Sequence, residues 1–258
     1  MKLLILSDLH SNAEGVRAIL QKEGGADAIY AAGDFVDYGT DPAGTIAWVR
    51  ANGVRCVRGN HDDRLISVYR AGGYAGLPQE RCAWVHHNCE RLAEADVKFL
   101  ESLPTHLSFT ADGIEYLMAH RCGEGYATID SQYHFDRYWE ENFALPHAPG
   151  AERRMIFGHS HRQLVQRHDG RSLWLNPGSA SYRRPDEPSK DAFYAVIEDG
   201  AILLRHTPYD RTPLAREVQR MRPFLMPEEW HVADFFFCKT EADGPDKPWE
   251  LPPGVKRP

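Results

Sequence analysis

Five short clusters of carboxylate, imidazole and amide side chains punctuate the first two thirds of the chain. They are Asp8-Leu9-His10, Gly33-Asp34-Phe35-Val36-Asp37, Gly59-Asn60-His61-Asp62, the single His120, and Gly158-His159-Ser160-His161. None contains a thiolate. Oxygen and imidazole donors without sulfur make hard-to-borderline ligand sets, suited to manganese, iron or zinc. Two dications held close together repel each other unless a carboxylate is shared between them, and Asp34 is the natural bridge. A lone DxH or GNHD is more often a polar turn than a metal site; the recurrence of all five clusters in order is what gives them weight.

Residues far apart in sequence meet only if a scaffold gathers them, and each cluster lies just past a segment patterned as a strand. Residues 2–7 (KLLILS) form a short apolar run, followed by a helical stretch at 12–22 with Val16, Ile19 and Leu20 on one face and Asn12 as its N-cap. The unit recurs as a strand at 28–32 with a helix at 42–51, then a strand at 54–57 leading to a helix after Asp62. That alternation argues for a parallel βαβ start, in which strand ends converge on a ligand-binding crevice. Residues 79–103 read as helical throughout, as two helices stopped by Pro104. Beyond Pro104 the pattern changes to hairpins, with Asp-Gly pairs at 112–113, 169–170 and 199–200 between apolar segments. The three hairpins predict a second, largely antiparallel sheet contribution. An aromatic-rich insertion at 126–143 is expected either to cap the site and stack on a nucleobase or aryl group, or to pack Trp139 and Phe143 into a satellite core. A helix at 214–222 and a Pro-rich tail at 241–258 complete the chain.

The bulk composition limits the partners. With 258 residues, 42% hydrophobic and 26% charged, the chain has enough apolar surface for a core without disulfides. A formal net charge of -7 leaves no basic field to hold a nucleic acid, so stable binding of one, as by a repair-type nuclease, is not expected. No apolar run reaches the roughly 20 residues needed to span a bilayer. Five Cys without a CxxC pair fit a reducing, cytoplasmic setting. Cys56 is expected to pack in its strand, and a metal role for the soft thiol of Cys122 is the less favoured reading.

The ordered motifs DxH, GDxxD, GNHD, a lone His and GHxH resemble the calcineurin-like metallophosphoesterase superfamily, in its small prokaryotic phosphodiesterase branch, over residues 1 to about 207. The resemblance implies an α/β fold: a four-layer αββα sandwich of two mixed β-sheets flanked by helices, with a small helical cap. Cap insertions then fall at about 63–103 and 121–150, and residues 208–258 are a C-terminal helix and tail. It also implies two divalent ions, manganese first, with iron, zinc or nickel as alternatives. Asp8, His10, Asp34 and His161 would hold one ion, and Asp34, Asn60, His120 and His159 the other. A hydroxide bridging the ions would attack phosphorus, His61 would assist the leaving group, and Asp37 would orient His61 and favour its imidazolium form. Asn12, Asn60, His61 and Arg121 would meet the substrate.

Departures from the family pattern narrow this reading. Tyr38 stands where GDxVDRG phosphatases carry Arg, which removes a bidentate phosphate donor. Arg121 stands where the branch has Gly after the lone His; it either clamps phosphate at the site mouth or points into solvent. The expected function is hydrolysis of small nucleotide or aryl phosphodiesters. Dinucleoside polyphosphate hydrolysis and phosphomonoesterase action are the alternatives. A non-catalytic scaffold of this fold is the rival from another class, and His61 argues against it. The remaining His residues, including the adjacent His86 and His87, read as surface or packing groups, although His134 lies in the aromatic insertion. A homo-oligomer is compatible with the sequence.

Overall fold

Side-chain alternation decides how the strands stack. In β1 (Lys2–Leu6), Leu3 and Ile5 enter one apolar cluster while Leu4 and Leu6 enter another. The same split occurs in β5 (Ile114–Ala119), where Tyr116 and Met118 face the first of these clusters and Leu117 and Ala119 face away from it. Strands apolar at every position must be covered on both faces. Here one face of each sheet meets the other sheet, and the opposite face meets helices. The computed structural model describes residues 1–181 and 189–238; the expected Pro-rich tail lies outside the described residues.

The first sheet contains β1, β2 (Ala28–Ala31), β3 (Arg55–Cys56), β9 (Ala192–Glu198) and β10 (Ala201–Thr207), in the order β10-β9-β1-β2-β3. The second contains β4 (His106–Ala111), β5, β6 (Arg153–Ile156), β7 (Leu164–Arg167) and β8 (Ser172–Asn176), in the order β4-β5-β6-β8-β7. Helices α1 (Ala13–Lys22), α2 (Pro42–Ala51), α3 (Asn60–Ala71), α4 (Trp84–Arg91) and α5 (Glu94–Ser102) bury Val16, Ile46, Leu65, Val85 and Val97 against the first sheet. Helix α6 (Gln132–Asn142) covers the second with Phe135 and Trp139. The layers are therefore αββα, two mixed sheets flanked by helices, as expected.

All three hairpins form, but the third does not join the second sheet. Strand β9 pairs antiparallel with β1, and the second sheet is closed by parallel pairing of β6 with both β5 and β8. A Gln163 amide donating to the carbonyls of Pro177, Tyr194 and Arg205 ties the crossing together. The helix expected after Asp62 begins at Asn60, because Gly59 is extended and Asp62 reaches back to accept its N–H at 2.8 Å. Residues 79–103 are not helical throughout: α4 and α5 are separated at Leu92 and Ala93, and Gln79–Arg81 forms a 3-10 turn. Helix α7 (Thr212–Met221) and α8 (Pro227–Ala233) form a further cluster with Trp84 and Phe235–Phe237.

Glu23, the residue after α1, joins three strands of the first sheet. Its carboxylate, only 2% exposed, accepts from Tyr194 and Arg205 at 2.7 Å each and pairs with Lys2 at 3.0 Å. Burial alone would raise its pKa, but Arg205, Tyr194 and Lys2 outweigh burial and lower it to about 2. A depressed carboxylate adds stability above its unfolded value near 4.5 and loses it as pH falls toward 2. Glu23→Gln is expected to destabilise the fold by about 2 kcal/mol at pH 7 in urea denaturation, with the difference narrowing as pH falls through that window. An unchanged midpoint at pH 7 contradicts the clamp.

Candidate metal centre

All five clusters stand at one edge of the sandwich. Asp8 and His10 follow β1, Asp34 follows β2, Asn60 and His61 follow β3, His120 follows β5, and His159 and His161 follow β6. Those are the carboxyl ends of strands paired in parallel, where ligands bind in open α/β sheets. The loops there are conformationally unusual. Asp8, His10, Asp34, Asp37, His159 and His161 all have φ between 42° and 74°. Asp and His tolerate this left-handed region better than most residues, yet each such residue costs on the order of 1–3 kcal/mol and persists only where its surroundings over-determine it.

Three anchors provide that determination. Asp8, His10 and Ser11 donate backbone N–H groups to the carbonyls of Gly33, Asp34 and Phe35 at 2.8–3.0 Å, zipping the first two loops together. Asp62, fully buried, accepts from the N–H groups of Asp34, Phe35 and Gly59 at 2.8–3.0 Å. Burial and the nearby Asp34 carboxylate push Asp62 up to about 7 against the pull of these backbone donors. Asp8 receives the N–H of His159 at 3.1–3.2 Å, and Ser179 donates to the Asp8 carbonyl at 2.8 Å. Asp62 and Ser179 thus anchor the loops without being candidate ligands themselves.

The side chains then converge in two groups. Ligand atoms of Asp8, His10 and His161 lie within 4.8 Å of one another, and so do those of Asp34, His120 and His159. In the first, His10 Nε2 is 3.3 Å from His161 Nε2, which is 3.2 Å from Asp8 Oδ1. His10 Nδ1 faces the Val36 carbonyl at 3.2 Å, so the proton belongs on Nδ1 and Nε2 presents a lone pair. Burial, aided by the charge of His61, lowers His10 to about 3 and keeps it neutral. In the second group His120 Nδ1 donates to Ala32 O at 2.7 Å, leaving Nε2 turned toward Asn60 Oδ1 at 2.9 Å and Asp34 Oδ2 at 3.1 Å. Asp34 Oδ1 accepts the His61 N–H at 2.8 Å, while its buried Oδ2 has no hydrogen bond of good geometry. Burial disfavours charge on His120, yet the carboxylates of Asp34 and Asp8 outweigh it and raise its pKa to about 9. Two carboxylates and four imidazoles gathered in two groups, with His120 drawing a proton from its carboxylate neighbours, form a donor set that fits divalent ions once that proton is displaced.

His61 stands at the mouth, 18% exposed, with its ring centroid 5.0 Å from that of His10. Its Nδ1 is 2.9 Å from Asp37 Oδ2, which also accepts from Arg64 at 2.9 Å. Burial works against the imidazolium, but Asp34 and Asp37 outweigh it and raise His61 to about 9. Arg64, one turn further along α3, was not anticipated. Nor was Asn88 of α4, whose buried amide takes the Asp37 N–H and the Ser11 hydroxyl and donates to Gly39 O.

The other residues named from the sequence are placed as follows. Asn12 is 1% exposed; its Oδ1 caps α1 at the Gly15 N–H and its Nδ2 donates to Tyr209 at 2.9 Å. Cys122 donates to Ala127 O. His134 pairs with Asp130 at the surface. In the aromatic insertion Phe135 and Trp139 are core, whereas Tyr126 and Tyr133 are exposed. Arg121 is exposed and lines a small open pocket beside His159. At Gly59 a Cβ would overlap Asp34 Oδ1 and press on the Asp34 N–H. Gly59→Ala is therefore expected to weaken manganese binding at least about tenfold in calorimetry, the scale seen when groups supporting metal ligands are disturbed. Wild-type affinity contradicts the role given to this approach.

Residues 1–199 match the model of the calcineurin-like phosphoesterase superfamily domain. An uncharacterized protein of Methanocaldococcus jannaschii is 25% identical over 214 residues, 76% of this chain and 82% of that relative. A metallophosphoesterase from Sphaerobacter thermophilus superposes with a TM-score of 0.68 at 20% identity, covering 90% of this chain and 100% of that one. A hypothetical protein from Pyrococcus horikoshii superposes at 0.71 and 15% identity, covering 92% and 97%. Both share the fold. Since the matched residues include every ligand candidate from Asp8 to His161, the chain belongs to the calcineurin-like phosphoesterase superfamily and is a hydrolase of phosphoric esters.

Proposed function

We propose that the chain is a dinuclear, metal-dependent phosphodiesterase acting on small nucleotide or aryl phosphoesters. The observation that carries the reading is the pair of ligand groups, Asp8-His10-His161 and Asp34-His120-His159, that stand at one edge of the sandwich beside the Asp37–His61 pair. In this reading Asp8, His10, Asp34 and His161 hold one ion and Asp34, Asn60, His120 and His159 the other. When bound, such ions, manganese first among the candidates, neutralise phosphoryl charge and activate water.

The chain's own groups do the rest. Asp37 accepts from His61 Nδ1, which directs Nε2 outward to donate a proton to the leaving oxygen. Arg64 also leans on Asp37, fixing the carboxylate that fixes His61. No helix among the described residues is long and apolar enough to cross a membrane. Tyr38, beside His61 at 4.9 Å between centroids, supplies no cation for a monoester dianion, which favours the singly charged diester.

Manganese-loaded protein is expected to cleave bis(p-nitrophenyl) phosphate, and Asp34→Ala or Asn60→Ala to lose at least about a hundredfold in kcat. Turnover unchanged in either variant refutes the assignment. His61 is the acid, so its charged form, present below a pKa of about 9, is lost as pH rises through that value. Asp37→Asn removes one of the carboxylates that raise His61. The alkaline limb of kcat should then move to lower pH, with kcat falling about a hundredfold; an unmoved limb contradicts the pairing.

A further inference from the structure

The loop between β5 and α6 places one aromatic ring where no packing demand explains it. Tyr126 is 72% exposed, yet its ring stacks on His159, with centroids 4.9 Å apart and planes at 26°. His159 in turn lies edge-on to His120 at 5.2 Å. One face of Tyr126 thus covers a candidate metal ligand and the other is open. Gly125 just before it, at φ 55°, sets the turn that presents the ring. Further along the insertion Phe135 and Trp139 are spent in the core, and the exposed Tyr133 lies against His134 and not against a candidate ligand.

The adjoining pocket is lined by Arg121, Tyr126, Ile129, His159, Trp174 and Asn176. Its volume is about 40 Å³, room for water but not for a heterocycle. A planar group reaching the site therefore has the outer face of Tyr126, and not the pocket, to lie on. Arg121, at the same rim, makes no ion pair among the described residues and supplies a positive charge where a phosphate would approach.

We infer that Tyr126 is a specificity-determining platform on which a nucleobase or aryl group of the substrate stacks while its phosphoryl group lies at the adjacent ligand clusters. A nucleoside 5′-phosphate fits this placement, because a single ribose separates its base from its phosphate. The inference rests on the phosphoester reading above and adds the chemical class that the site prefers.

The test is calorimetric and uses the manganese-loaded full chain with adenosine 5′-monophosphate and ribose 5-phosphate, which differ only in the base. Wild type should bind the nucleotide about tenfold more tightly, the scale of one base–aromatic stack. Tyr126→Ala should bring the two affinities together while leaving manganese and ribose 5-phosphate binding unchanged, and Tyr126→Phe should keep the preference. Equal affinities in wild type, or a preference that survives Tyr126→Ala, overturn the inference alone. A Tyr126→Ala variant that loses manganese shows the ring to be a cover for His159 and overturns it too. Wild type that binds neither ligand yet cleaves bis(p-nitrophenyl) phosphate overturns the platform alone, and wild type that does neither refutes the phosphoester reading and the platform with it.

Discussion

Electrostatic crowding around Asp34 is the constraint from which the rest of the structure follows. Two carboxylates, an amide oxygen and four imidazoles point acceptor atoms into one buried crevice, and proteins avoid burying such groups without compensation. A proton on His120, whose pKa rises to about 9, relieves part of the crowding, while His10 stays neutral. A cation in each group would relieve the rest. The left-handed backbone at six of these loop positions is the geometric counterpart, since only those turns aim consecutive strand ends at a common point.

Such turns hold because the surrounding layers are rigid. Asp62 gathers three backbone N–H groups, Asn88 bridges from α4, and Glu23 locks α1 to three strands, each from a buried position. The C-terminal segment extends the same support. Trp84 donates to the Glu229 carboxylate and carbonyl of α8 at 3.0–3.1 Å, and the cluster around it includes Tyr38, the neighbour of His61. Burial and the nearby Asp37 raise the pKa of Glu229. Residues outside the matched family region therefore wall the His61 side of the site.

What could be read from sequence was whatever is encoded contiguously. The ligand clusters are short and ordered, the helix at 42–51 is bounded by Pro42 at its start, and Asp-Gly pairs mark all three hairpins. What escaped depends on segments meeting in space. The third hairpin pairs with β1 because that strand offers a free side once β2 has taken the other. Arg64, Asn88 and Glu229 look like ordinary helix residues until Asp37 is placed beside them. Asn12 shows both levels at once: its N-cap role on α1 was legible in the sequence and is borne out at Gly15, whereas its bond to Tyr209 depends on a segment 197 residues away.

The central claim is that two ions share Asp34. Anomalous diffraction from crystals grown with manganese tests it most directly. The account predicts two peaks about 3.5–4 Å apart, one against Asp8, His10 and His161, the other against Asn60, His120 and His159, with Asp34 touching both. A single peak at saturating manganese, or two peaks of which Asp34 touches only one, would contradict it.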